Sequence, residues 1–167
     1  MKLIDHPLFN ALWFNLFWLM AVMGREALIP LTLLLLALHF LLASSLRHEL
    51  WLVLVIALPG ILIDATLSHL NIYQFHNGEL LPLWLVEIWI AFAVSLPRSM
   101  GFLARFPVLS ILFGGIGGTL SYFSGSRLGA VTLAEPLTTT LAIIALPWAI
   151  LFPLCLQATT LIRRKLP

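Results

Sequence analysis

Six apolar stretches follow one another along this chain, and the breaks between them are too short to hold a folded domain. An apolar run of about 20 residues crosses a bilayer as a helix, because hydrocarbon offers backbone N–H and C=O groups no partners but each other. The stretches run over about 7–24, 27–46, 50–70, 81–96, 107–125 and 137–161. Pro7 opens the first, where its missing N–H costs no bond. Gly24-Arg25-Glu26 and Arg47-His48-Glu49 read as turns, and Pro59-Gly60 predicts a kink in the third stretch. Asn71 to Leu80 is a polar link, Pro97-Arg98-Ser99 ends the fourth stretch, and Pro147 and Pro153 interrupt the sixth. The pattern predicts an all-α polytopic membrane protein: one domain, 1–167, built as a bundle of about six transmembrane helices.

Composition agrees. Apolar residues make up 61% of the chain and charged residues 10%, where a soluble domain has about half and about a quarter. The single cysteine, Cys155, excludes an internal disulfide and any Cys-rich metal site, and itself reads as a small buried apolar residue. The start, MKLIDHPLFN, has neither a basic n-region nor a small-residue cleavage site, so the first run reads as a retained helix. Lysine and arginine set the orientation. With the N-terminus inside, Lys2, Arg47, Arg98, Arg105, Arg163, Arg164 and Lys165 share the cytoplasmic side, and only Arg25 and Arg127 lie outside. This predicts a multi-pass protein of a bacterial inner membrane with both termini cytoplasmic. A net charge of +2, carried at segment ends, gives no basic patch for nucleic acid.

The fifth stretch, within PVLSILFGGIGGTLSYFSGSRLGAV, aligns Ser110, Gly114 and Gly118 four residues apart, with Gly117, Ser121 and Gly125 in a second row. Bare helix faces let membrane helices approach closely. The stretch therefore reads as the bundle's central helix. Its Gly114/Gly118 face is expected to be available to a partner protein or a second copy.

Ionisable side chains inside a membrane are functional candidates by default, because an unpaired charge there is costly. Asp64 and Glu87 fall at similar depth, about 9 Å beneath the outer surface at 1.5 Å per residue. His69 falls one turn further out, Ser121 and Tyr122 end the fifth stretch at a similar outer level, and Arg127 follows in the connector. The expectation is a cavity in the outer leaflet between the third, fourth and fifth helices, lined by Asp64, His69, Glu87, Ser121, Tyr122 and Arg127. Arg127 would hold an anionic headgroup; the alternative is a structural network. Asn15 and His39 are expected to pair as polar glue between the first two helices. Trp84 and Trp51 suit the outer and inner aromatic belts. Thr66–Leu70, TLSHL, echoes Thr119–Phe123, TLSYF. Nucleotide, zinc-protease and serine-hydrolase motifs are absent, so no metal or cofactor is expected. Four functions stay open: binding or handling a membrane lipid, small proton-coupled transport, lipid-modifying catalysis, and scaffolding of a membrane complex.

The segments LPLWLVEIWIAFAVSLPRSMGFL and GGIGGTLSYFSGSRLGAV, with GILIDATLSHL around Asp64, are similar to a family of small bacterial inner-membrane proteins catalogued as a domain of unknown function. The resemblance covers nearly the whole chain and carries no activity. It implies genes lying near fatty-acid-modifying enzymes, and so an association with membrane lipids.

Overall fold

A computed structural model describes residues 6–165; Lys2 and the first residues of MKLIDHPLFN lie outside them. The described residues form an all-α membrane bundle with one small sheet. Helix α1 is Pro7–Gly24 and α2 is Ile29–Leu42, joined by a 3-10 turn at Arg25–Leu28. Helix α3 is Leu46–His69, α4 Leu83–Ser99, α5 Pro107–Arg127 and α6 Leu137–Lys165. Strands β1, Tyr73–Phe75, and β2, Val131–Leu133, pair antiparallel with Tyr73 opposite Leu133.

Four helical lengths are long and apolar enough to cross a membrane: Pro7–Leu42, Leu46–His69, Pro107–Arg127 and Leu137–Lys165. The first is a hairpin, because the Trp13 and His39 rings lie 5.2 Å apart. The chain reverses at Arg25, with φ 46 and ψ −129, a turn conformation that glycine adopts far more readily than other residues. In α3 the five residues Val53–Ala57 are in π geometry just before Pro59. Proline lacks an N–H and crowds the carbonyl four residues back. The widened turn absorbs both defects, and the helix continues to His69.

Helices α3 and α5 end alike. Ile72 N–H donates to Leu67 O at 3.0 Å and Asn71 N–H to Ser68 O at 2.9 Å; Ala130 N–H donates to Gly125 O at 2.9 Å and Gly129 N–H to Ser126 O at 3.1 Å. Both are Schellman closures, with Asn71 (φ 57) and Gly129 (φ 74) in the left-handed position the motif requires. Each feeds a strand, and the two strands pair. The TLSHL/TLSYF echo is out of step with this equivalence. Thr66 lies five residues before its left-handed residue and Thr119 ten before its own.

The central helix is α4. Twelve of its 17 residues are buried, whereas α5 turns Val108, Ile111, Ile116 and Leu120 outward. The expectation that the glycine-rich helix is central is thus corrected: bare faces need one close neighbour, and α5 packs chiefly on α6. A Cβ on Gly118 would overlap the Trp148 ring, and one on Gly114 would lie 2.5 Å from Phe152 Cβ and Trp148 O. The Gly114/Gly118 face is therefore filled from within the chain by Trp148 and Phe152. Trp148 stacks on Trp89, with centroids 5.1 Å apart and planes 12° from parallel. Trp89 in turn lies where a Cβ on Gly60 would go. Two glycines thus admit two indoles, and dispersion across flat faces holds α3, α4, α5 and α6 together where water supplies no drive.

Candidate functional site

Along α3 the buried positions are Glu49, Leu52, Ile56, Ala57, Gly60, Asp64, Leu67 and Ser68, a broad stripe on one face at helical spacing. Both carboxylates of the stripe face into the protein, at opposite ends of the helix.

Asp64 is 1% exposed. Trp89 Nε1–H donates to its Oδ2 at 2.7 Å and the Tyr73 hydroxyl to its Oδ1 at 2.8 Å. The Tyr122 hydroxyl bonds to the same group. The Tyr73 and Tyr122 rings lie 4.9 Å apart. Burial first, and the neighbouring Asp64 second, push the Tyr73 phenol above its usual range, so it remains a proton donor. Helices α3, α4 and α5 do converge here, as expected for Asp64 and Tyr122, but on a packed and hydrogen-bonded knot.

Glu87 is elsewhere. It is 1% exposed and meets Thr32 of α2, whose hydroxyl lies 2.6 Å from Oε2. Its Oε1 has no hydrogen-bond partner among the described residues. Residues 87 and 89 lie about 200° apart around a helix, so Trp89 faces Asp64 while Glu87 faces α2. The expected pairing of Asp64 with Glu87 fails for that reason. His69 is exposed at the end of α3. Arg127 is exposed, with its guanidinium 5.3 Å over the Phe123 ring of its own helix; it joins neither carboxylate. Asn15 bonds back to Ala11 O at 2.8 Å, so it does not pair with His39. Trp84, 4% exposed and edge-on to Phe75 at 5.7 Å, is core and not belt. Trp51, 43% exposed, stays outside. Cys155 is buried, as expected.

At the far end of the stripe, Glu49 (1% exposed) takes Arg98 Nη2 at 2.5 Å on Oε1 and Nη1 at 3.2 Å on Oε2. His39 Nε2 is 3.4 Å from Oε2. This forked ion pair joins α2, α3 and α4, the geometry in which guanidinium and carboxylate match best. In the sequence, Arg47-His48-Glu49 reads as a turn and Arg98 as a charge set by topology. The spacing 49, 52, 56, 60, 64 was the available signal, since it puts Glu49 in line with Asp64.

The cavity lies beside the Asp64 knot, between α1, α4, α5 and α6, instead of between the third, fourth and fifth helices as expected. It holds about 320 Å³. Helix α1 packs on α4 and α5 packs on α6, and the gap between these two pairs is the groove. Its floor is aromatic, with Trp89, Phe92, Trp148 and Phe152; its α1 wall has Phe14, Trp18 and Val22. Gly117, whose added Cβ would meet only Phe113 at 3.9 Å, leaves the α5 wall low. Phe113 and Leu120 line the groove and are half exposed, so it is open along that rim. From Phe113 to Gly125 it runs about 18 Å along the helix. Ser121, Tyr122 and Ser124 give its Gly125 end a polar edge, so two of the expected site residues, Ser121 and Tyr122, do border it. Among the described residues no group of three or more His, Cys, Asp or Glu side chains could hold a metal ion.

No curated protein and no solved structure matches this chain. Residues 7–154 match the model of a family described as "Protein of unknown function (DUF2878)", and the chain belongs to that family.

Proposed function

We propose that this membrane protein binds the hydrocarbon tail of a membrane lipid in the groove between α1 and α5. The observation that carries the reading is the groove's form: about 320 Å³, aromatic on its floor, and open along one side. That volume is at the lower end of the range for small-molecule sites, about 300–1,000 Å³, and the length suits an extended chain. The rims support a lateral approach, since Leu12 and Leu16 of α1 and Ile116 of α5 are all exposed on apolar helices. Asp64 has a positioning role in this reading. It holds Trp89 and Tyr122, which both line the groove, through hydrogen bonds that a tail would not disturb.

The Lys/Arg distribution supports six spans with both termini cytoplasmic, in a bacterial inner membrane. Native mass spectrometry of gently purified protein tests the binding. Wild type should carry lipid, and Gly117→Phe, whose ring would occupy groove space from a position where an added Cβ meets only Phe113 at 3.9 Å, should carry little. Equal lipid on both proteins contradicts the proposal.

A further inference from the structure

A charge lies next to one end of the groove. Val22 is the last residue of α1 that lines it, and Arg25 follows three residues later, one helical turn on. On the opposite wall Ala130 lines it, and Gly129 precedes Ala130. A Cβ built on Gly129 would lie 3.9 Å from Arg25 Nη2. The Arg25 side chain therefore reaches from the end of α1 to the end of α5, next to the Val22 and Ala130 end of the groove. It is half-buried. Among the described residues it has no ion pair or hydrogen bond to an acidic group.

Its backbone makes the placement more telling. Arg25 holds φ 46, a conformation that L side chains adopt only under constraint. Gly24, next to it, does not occupy that position. Glycine at 25 would make the same turn without strain. An arginine there, half-buried and with no ion pair among the described residues, keeps a guanidinium with donors for an anion.

We infer that Arg25 binds the phosphate of a phospholipid whose tail occupies the groove. The inference rests on the groove reading and adds the headgroup class. Guanidinium matches phosphate oxygens in a fork, and the distance from the apolar floor to Arg25 places charge and hydrocarbon where one amphipathic molecule has both. Arg127, lying over Phe123 on the other flank of α5, is not the anchor.

The test is native mass spectrometry of the full-length protein, reconstituted with equal dioleoylphosphatidylglycerol and dioleoylglycerol, which share tails and differ in phosphate. Wild type should retain the phospholipid about tenfold or more over the neutral lipid, the effect of one charge-assisted hydrogen bond to an anion. Arg25→Gly, which relaxes the turn and keeps the fold, should retain both lipids alike. Arg127→Ala should behave as wild type. A tenfold preference that survives in Arg25→Gly overturns the assignment while the groove stands. Failure of wild type to hold either lipid overturns the groove reading itself. Glycerol phosphate, the headgroup without tails, should wash off; its retention as firmly as the phospholipid would make the occupant a free phosphate and overturn the lipid assignment.

Discussion

Trp89 donates its indole N–H to Asp64 at 2.7 Å, and its ring lies flat against Trp148. One side chain thereby links the buried carboxylate of α3 to the floor of the groove. Loss of the carboxylate should be felt across the bundle.

Asp64→Ala leaves two hydroxyls and an indole N–H without their acceptor. Each buried unsatisfied group costs about 1–3 kcal/mol, so a loss of about 3 kcal/mol or more is expected. Asp64→Asn should cost less, because its carbonyl oxygen still accepts from Tyr73 while its amide opposes the Trp89 N–H. Thermal unfolding in detergent reads the stability. Near-ultraviolet circular dichroism reads the Trp89–Trp148 stack, which should weaken in the alanine variant.

The two glycines on neighbouring positions of α5 should respond oppositely. Gly118→Ala drives a methyl into the Trp148 ring, and overpacking of this kind costs about 1–3 kcal/mol. Gly117→Ala meets only the Phe113 ring, at an ordinary 3.9 Å, and should leave the unfolding temperature unchanged or slightly raised, because alanine favours helix. Equal losses at both positions would contradict the α5–α6 packing.

Arg98→Ala should be among the most damaging single changes. It strands a carboxylate that is 1% exposed, and breaking a buried pair from one side costs about 3–5 kcal/mol. Glu49→Gln, which removes the charge and keeps an acceptor, should cost less. A double-mutant cycle on unfolding free energies should show a coupling of about 1 kcal/mol or more between positions 49 and 98.

The six-span arrangement predicts labelling. In a Cys155→Ala background, single cysteines at Asn77 and Glu135 should react with an impermeant maleimide added to the outside of cells. A cysteine at Ser44 should react only after lysis. Reaction of all three from one side would contradict the arrangement.

The bundle was legible because bilayer thickness and apolar length are directly comparable. The helix limits at Pro7, Gly24 and Pro107 follow from proline and glycine chemistry that acts locally. The pairing of β1 with β2 was not legible, since three-residue strands in polar links carry no periodic signal. The site was half legible. Asp64 and Tyr122 meet because both lie on buried faces near the ends of α3 and α5 that feed the paired strands. Depth alone does not place Glu87; its angular position relative to Trp89, two residues on, turns it toward Thr32. The groove itself depends on which helix pairs pack, and a sequence of similar apolar helices does not specify that.

The most direct measurement is photocrosslinking with a phospholipid that carries a diazirine in mid-chain, followed by peptide mapping. The proposal predicts adducts concentrated on Phe14 and Trp18 of α1 and on Phe113 and Gly117 of α5, reduced in Gly117→Phe. Adducts spread evenly over lipid-facing residues such as Leu34, Leu38 and Leu41 of α2, and unchanged by Gly117→Phe, would contradict it.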